Sequence, residues 1–384
     1  MKKFVALLLI LVLNFTLAGC GSGSNQDTGP IKIGWIGSIT GNQALFGQSE
    51  QAALKMFFEE VNAAGGINGR TFEVIYYDSK GDPQEAVSAA RRLVGQDKVV
   101  AIIGPNASSQ ARPVAEVLNE TQVPGIATAA TNPLVTVGED GAVKPYMFRA
   151  CFIDPYQGSV AAGFSIDELD AATAAVLYDV GDDYSQGIVK YFVQEFEGKG
   201  GAIVSDEAFN SGDDDFRPQL TRIREANPDV IFMPLSYREV ALSARQAREL
   251  GVTATFMGTD TWPSDELLTM AADAVEGAFY VNHLDFDDPN VQEFKNKYIA
   301  REGRAPELNG YLAWDAALMV VEAIKEANSF EPTAIRDALR TINVSGLTGD
   351  IVINPETHNP DNKRAAIIKI TNGEYKFVMY YSPN

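Results

Sequence analysis

From Ile31 onward the chain repeats one pattern: a short apolar run, a loop of small or polar residues, then an amphipathic helix that carries the chain back. "IKIGWIGSI" reads as a strand and "SEQAALKMFFEEVNAA" as a helix, with Leu54, Phe57, Phe58 and Val61 on one face. Gly65-Gly66 is the stop signal. "TFEVIYYD", "VVAIIG" and "VPGIAT" are further strands, separated by helices near 84–95 and 109–119. Strands joined through helices cannot pair as hairpins. Each crossover requires a parallel sheet covered on both faces. After "PYMFRA" (145–150) the pattern restarts with a helix near Asp154. The strands "AAVLYDV", "AIVSDEA", "VIFMPLS" and "TFMGTD" follow, with helices near 184–198, 215–226, 237–250 and 264–273. The predicted fold class is therefore α/β, with two doubly wound parallel-sheet lobes. "GAFYVNHL" (277–284) precedes three helical segments reaching about 340, too many for the second lobe alone, so the chain is expected to cross between lobes more than once. The tail, "GDIVIN" and "AAIIKITNGEYKFVMYY", reads as antiparallel strands turned at Asn372-Gly373.

A chain of 384 residues is long enough for two cores. Its 51 acidic against 31 basic residues give a formal charge of -20, which excludes a partner rich in phosphate. Residues 1–19 carry a basic start and an apolar run too short for a comfortable membrane span, which fits a secretory signal. The run ends at "LAGC" (17–20), where small residues precede Cys20. This resembles the bacterial lipoprotein signal, in which that cysteine is acylated; the alternative is an ordinary signal with an incidental cysteine. "GSGSNQDTGP" then reads as a flexible tether over 20–30. Cys151 is left as the one other thiol, a small core residue, so no internal disulfide is expected.

Enzyme signatures are scarce. His283 and His358 are the only histidines, and no cysteine pair has zinc spacing. There is no nucleophile elbow, no phosphate loop and no dinucleotide fingerprint. "SGDDDFRPQL" (211–220) reads as a polar loop leading into a helix with acids in its first turn, not as a metal site. No enzyme activity, cofactor or metal is expected.

What recurs is the strand that opens into a small polar loop: "IIGPNASSQA", "GIATAATNPLVT" and "FMGTDTWPSDELL". In open α/β sheets the ligand crevice lies at the carboxyl ends of the strands. Ser108 or Ser109 either caps its helix or leaves the helix start free to hold an anion. With Thr131 on the neighbouring strand end and Asp260 from the other half, the loops can serve a zwitterion, carboxylate on the helix start and ammonium on Asp260.

The stretches "IKIGWIGSITG", "LFGQSEQAALKMFFEEVNAAGGINGR", "YDSKGDPQEAVSAARRLV", "IIGPNASS", "ATAATNP", "FRACFIDPYQG", "RQARELG" and "FMGTDTW" resemble the leucine/isoleucine/valine-binding family of extracellular solute-binding proteins, which serve ABC importers. The resemblance covers 31–384. It implies the type I periplasmic binding protein fold with a three-segment hinge near 149, 281 and 348. The lobes would be 31–149 with 282–348, and 150–281 with 349–384. Carried over residue by residue, Ser108 (with Ala107 beside it), Ala129 and Thr131 would hold an amino acid's carboxylate and amine. Asp260 would take the ammonium, Tyr184 would close the pocket from the second lobe, Phe46 would supply an apolar wall and Tyr237 would add to the lining. The disulfide of those relatives would end at Gly81 and Ala107, where this chain has no cysteine, and Asn106 stands where they carry an apolar residue. Ser236-Tyr237 also departs from their pattern, which leaves the ligand's side chain open.

The resemblance thus implies a lipid-anchored, extracytoplasmic, monomeric receptor that hands an amino acid, branched-chain or otherwise aliphatic, to the permease subunits of an ABC importer. A sensor of the same fold, or a binder of short amides or organic acids, is the alternative. Membrane fractionation checks the anchor: Cys20→Ala is expected to release the protein into the soluble fraction, because the acyl chains provide the attachment.

Overall fold

The computed structural model describes residues 29–383 apart from Asn42 and Asn362. The signal segment 1–19, Cys20 and most of the tether lie outside the described residues.

Five parallel strands form the first sheet in the order β2-β1-β3-β4-β5: Ile31–Gly37 (β1), Phe72–Asp78 (β2), Ala101–Ile103 (β3), Gly125–Ala127 (β4) and Met147–Arg149 (β5). β1 lies between β2 and β3 and is buried on both faces, which is why "IKIGWIG" is almost wholly apolar. Ile31, Ile33 and Trp35 join one core layer and Ile36 the other. The helix Ala44–Ala63 covers the first layer with Leu54, Phe57 and Phe58, and Val61 packs against the same cluster. Past its end, Gly65 and Gly66 take φ values of 100° and 67°, the left-handed conformation that only glycine adopts without penalty.

The second sheet has the order β14-β13-β10-β9-β8-β6-β7. Its parallel part comprises Thr173–Asp179 (β6), Ala202–Phe209 (β7), Val230–Phe232 (β8), Thr255–Gly258 (β9) and Phe279–Asn282 (β10). Ala365–Thr371 (β13) and Glu374–Tyr381 (β14) add antiparallel at the β10 edge, turned at Asn372-Gly373 with φ values of 53° and 69°. The two lobes each pack helices on both sheet faces, around separate core clusters.

The three late helices, Pro289–Glu302, Leu308–Ala327 and Pro332–Leu339, return to the first lobe, where Ala313, Val320 and Ile335 join the core above β1. The chain passes between lobes at 150–152 and again at 282–284, because Ala150 and Leu284 pack with first-lobe residues while Phe152 and Val281 belong to a second-lobe cluster. "GDIVIN" does not join the tail sheet. Gly349–Val352 (β12) pairs with Asn343–Gly346 (β11), and Ile351 and Ile353 sit in the first-lobe core, so the third passage falls between Ile353 and Ala365, later than the expected crossing near 348. Asp315 fixes that hairpin by accepting the N–H groups of Leu347 and Thr348 at 2.6 and 2.9 Å.

In both sheets the parallel strands follow one rule: the first strand of the set has the second on one side and the third on the other. Chain direction away from the starting strand therefore reverses between β1 and β3, and between β6 and β8, and a crevice opens at each switch point.

Gly104, just past β3, has φ +90°, and a Cβ there would stand 2.2 Å from the Ile36 carbonyl oxygen. Gly104→Ala is expected to cost at least about 2 kcal/mol in chemical denaturation. Gly95→Ala, where a Cβ meets open space, should change stability by less than about 1 kcal/mol.

Candidate functional site

Loops from the two switch points converge on one small cavity of about 50 Å³. Gln43 and Phe46 follow β1, Asn106, Ala107 and Ser108 follow β3, and Ala129 follows β4. From the second lobe come Asp182 and Tyr184 after β6, Ser236 after β8, and Asp260 and Thr261 after β9; Asn309 completes the lining. A larger cavity of about 370 Å³, between Ser264, Phe286, Glu307 and Tyr375, is a more open groove whose lining includes neither Asp260 nor Ser108.

Ser108 does not cap its helix. The helix runs Ser108–Thr121 with Ala107 in the cap position, and no side chain bonds its first N–H groups. The Ser108 hydroxyl, 2% exposed, instead accepts the Asn132 N–H at 3.3 Å, which ties the β3 loop to the β4 loop. By contrast, Asp82 caps the helix Pro83–Arg92 and Asp182 caps Asp183–Gly198, each accepting two N–H groups. A helix start left bare beside a cavity presents partial positive charge and free donors to whatever occupies it.

Opposite stands Asp260, 6% exposed. Its Oδ1 accepts from Gln157 Nε2 and from the Tyr184 hydroxyl, both at 2.9 Å, and its Oδ2 lies 2.9 Å from His283 Nε2. Burial pushes the His283 imidazole below its usual value and the Tyr184 phenol well above its own, so both are neutral donors at neutral pH. Three neutral groups thus orient the carboxylate, and among the described residues no lysine or arginine is a hydrogen-bond partner. A carboxylate so placed has no countercharge among those partners and is able to accept a cation. Beside it, burial pushes the Asp182 carboxyl up to about 6, against the two N–H bonds it accepts.

The first-lobe wall is held from behind. Glu50 accepts from Trp35 Nε1 at 3.0 Å, from the Thr128 hydroxyl and from Asn309 Nδ2, and burial raises its carboxyl to about 7. Arg149, fully buried, donates to the carbonyls of Ala130 and Asn132 at 2.7 and 2.8 Å and so fixes the loop that carries Ala129. The lobes meet across the site: Arg112 pairs with Asp183 at 2.8 Å, Asn132 Nδ2 donates to the Asp183 carbonyl at 3.1 Å, and Phe46 and Tyr237 pack edge to face at 5.6 Å.

Of the residues singled out from sequence, Phe46, Ala107, Ser108, Ala129, Tyr184 and Asp260 are brought together in the lining. Thr131 is fully buried outside that lining, its carbonyl accepting the Asp154 N–H at 3.0 Å. Tyr237 touches the cavity only through Phe46. Sequence reasoning missed Gln43, Asp182, Thr261 and Asn309 in the lining, and Gln157 and His283 behind Asp260. Asp182 carries a helix-cap signal that conceals its second position. Asn309 and His283 arrive from distant sequence with no local signal at all. Among the described residues no group of three or more His, Cys, Asp or Glu is placed to hold a metal ion. No described helix is long and apolar enough to cross a membrane.

Residues 30–374 match the profile of a family described as periplasmic binding protein. The chain is 30% identical over 353 residues, 91% of its length and 92% of the other's, to the leucine-, isoleucine-, valine-, threonine- and alanine-binding protein of Pseudomonas aeruginosa. Among solved structures, a leucine-binding protein of Thermotoga maritima superposes with a TM-score of 0.84 at 32% identity, covering 92% of this chain and 99% of that one. The branched-chain amino acid transporter substrate-binding protein of Streptococcus pneumoniae, in complex with isoleucine, gives 0.85 at 29% identity and covers 92% and 100%.

The Arg112–Asp183 pair is partly exposed, with side chains 31% and 37% accessible, so solvent screens it. Arg112→Ala is expected to weaken the lobe-to-lobe contact by less than about 1 kcal/mol. Small-angle scattering should register a slightly larger radius of gyration, while the chain stays folded.

Proposed function

The chain belongs to the periplasmic binding protein family, and we propose that it is the solute-binding component of an ABC importer, taking up an amino acid as a zwitterion between its lobes. The observation that carries the reading is the pairing of two opposite demands across one cavity. The bare helix start at Ser108 asks for an anion, and Asp260, held by neutral donors alone, asks for a cation. An α-amino acid carries both charges on adjacent groups. A simple carboxylic acid would leave Asp260 facing a second negative charge.

Binding needs no bond to be made or broken. The ligand bridges strand ends of both lobes and stabilises their contact, a hinge closure whose product is a surface offered to permease subunits. Asn132 and Arg112, which already reach Asp183 from the first lobe, act as latches beside the ligand. Family relatives that bind leucine, isoleucine, valine, threonine and alanine support the amino-acid class. The lipoprotein-like "LAGC" supports delivery outside the cytoplasm, on an acyl anchor at Cys20.

Calorimetric titration with a panel of amino acids tests the charge pairing. Asp260→Asn keeps shape and loses charge, and is expected to weaken binding by on the order of 3 kcal/mol, about two orders of magnitude. Ser108→Ala should lose about 1–2 kcal/mol by disturbing the helix start and the loop it ties. Unchanged affinity in Asp260→Asn would remove the ammonium role.

A further inference from the structure

The lining of the cavity is not that of an aliphatic pocket. Beside the groups assigned to the carboxylate and ammonium, the first-lobe wall holds three carboxamides, Gln43, Asn106 and Asn309, with Phe46 as its one large hydrophobe. Asn106 is 5% exposed, and its Oδ1 is buried without a hydrogen-bond partner among the described residues. The Oε1 atom of Gln43 is likewise buried and unpartnered. These two residues flank the crevice between β1 and β3, where loops from the first-lobe switch point meet. Their need for a partner is independent of the helix start and of Asp260, because neither residue bonds to either.

We infer that the ligand's side chain carries a hydroxyl or carboxamide that pairs with Asn106 and Gln43. This rests on the amino-acid reading above and specifies its substrate class. An aliphatic side chain closing over these amides would exclude water without replacing its hydrogen bonds, at a cost of about tenfold in affinity for each group left unmet. A hydroxyl both donates and accepts, so it satisfies either end of a carboxamide. A β-branched hydroxyl side chain offers both a methyl for Phe46 and an oxygen for the amides of the same wall.

Isosteric pairs isolate the inference. Threonine and valine have the same shape, as do asparagine and leucine, so each pair differs in polarity with charge and size held constant. Titration of the wild-type protein is expected to show threonine binding at least about tenfold tighter than valine, and asparagine tighter than leucine. In Asn106→Leu the threonine preference should fall to within about threefold of valine, with the variant's fold checked by circular dichroism. Valine and leucine binding as tightly as their polar isosteres, or more tightly, overturns this inference and leaves the amino-acid reading standing. Binding of none of the four overturns both.

Discussion

Parallel pairing is the constraint on which everything else depends. A parallel strand cannot turn back on its neighbour, so each connection passes over a sheet face as a helix and every strand ends on the same edge. Starting each lobe inside the sheet, with the second and third strands added on opposite sides, splits neighbouring loops apart at one point. Nature of fold and place of site are thus a single fact. Gln43, Asn106 and Ser108 stand together because β1 and β3 are adjacent; Tyr184 and Ser236 do so because β6 and β8 are. Passing the chain between lobes three times keeps the two edges facing each other.

The charged groups at this edge are arranged by burial more than by pairing. Glu50, Asp154 and Asp182 all have carboxyls raised by desolvation, to about 7, 8 and 6. Arg149, the fully buried cation beneath the β4 loop, spends its donors on carbonyls instead of on a carboxylate. Its role is positioning, since those carbonyls belong to the loop carrying Ala129 and Asn132. Asp260, like Glu50, has three donors aimed at it, but unlike Glu50 it also lines the cavity. Orientation without neutralisation is what a binding site for a cation requires.

The two walls of the cavity make separate demands. On the amino-acid reading proposed above, the second lobe would meet the ammonium with Asp260 and Tyr184. On the same reading, the first lobe would meet the ligand's side chain with Asn106, Gln43 and Phe46.

Much of this was legible in the sequence because its cause is local. Period-2 and period-3.6 patterning gave the strands and helices; Gly65-Gly66 and Asn372-Gly373 gave a stop and a turn; the small residues after β3 marked a strand end with a bare helix start. Ser108 and Asp260 could be singled out because each ends a recognisable strand. Local patterning could not say that Ser108 leaves its helix uncapped, since a cap and a tie to Asn132 differ only in where the β4 loop lies. Nor could it place "GDIVIN", whose alternation suits either the tail sheet or a hairpin; packing of Ile351 and Ile353 against β1 decided that. Nor could it place Thr131, which is fully buried outside the cavity lining with its carbonyl accepting the Asp154 N–H. His283, Gln157 and Asn309 had no signal, as their partners lie between 23 and 259 residues away along the chain. The sequence by itself determined the elements and the edge on which a site must fall, through steric and hydrophobic periodicity. Only the tertiary structure decided which polar atoms on that edge are already satisfied and which are left for a ligand.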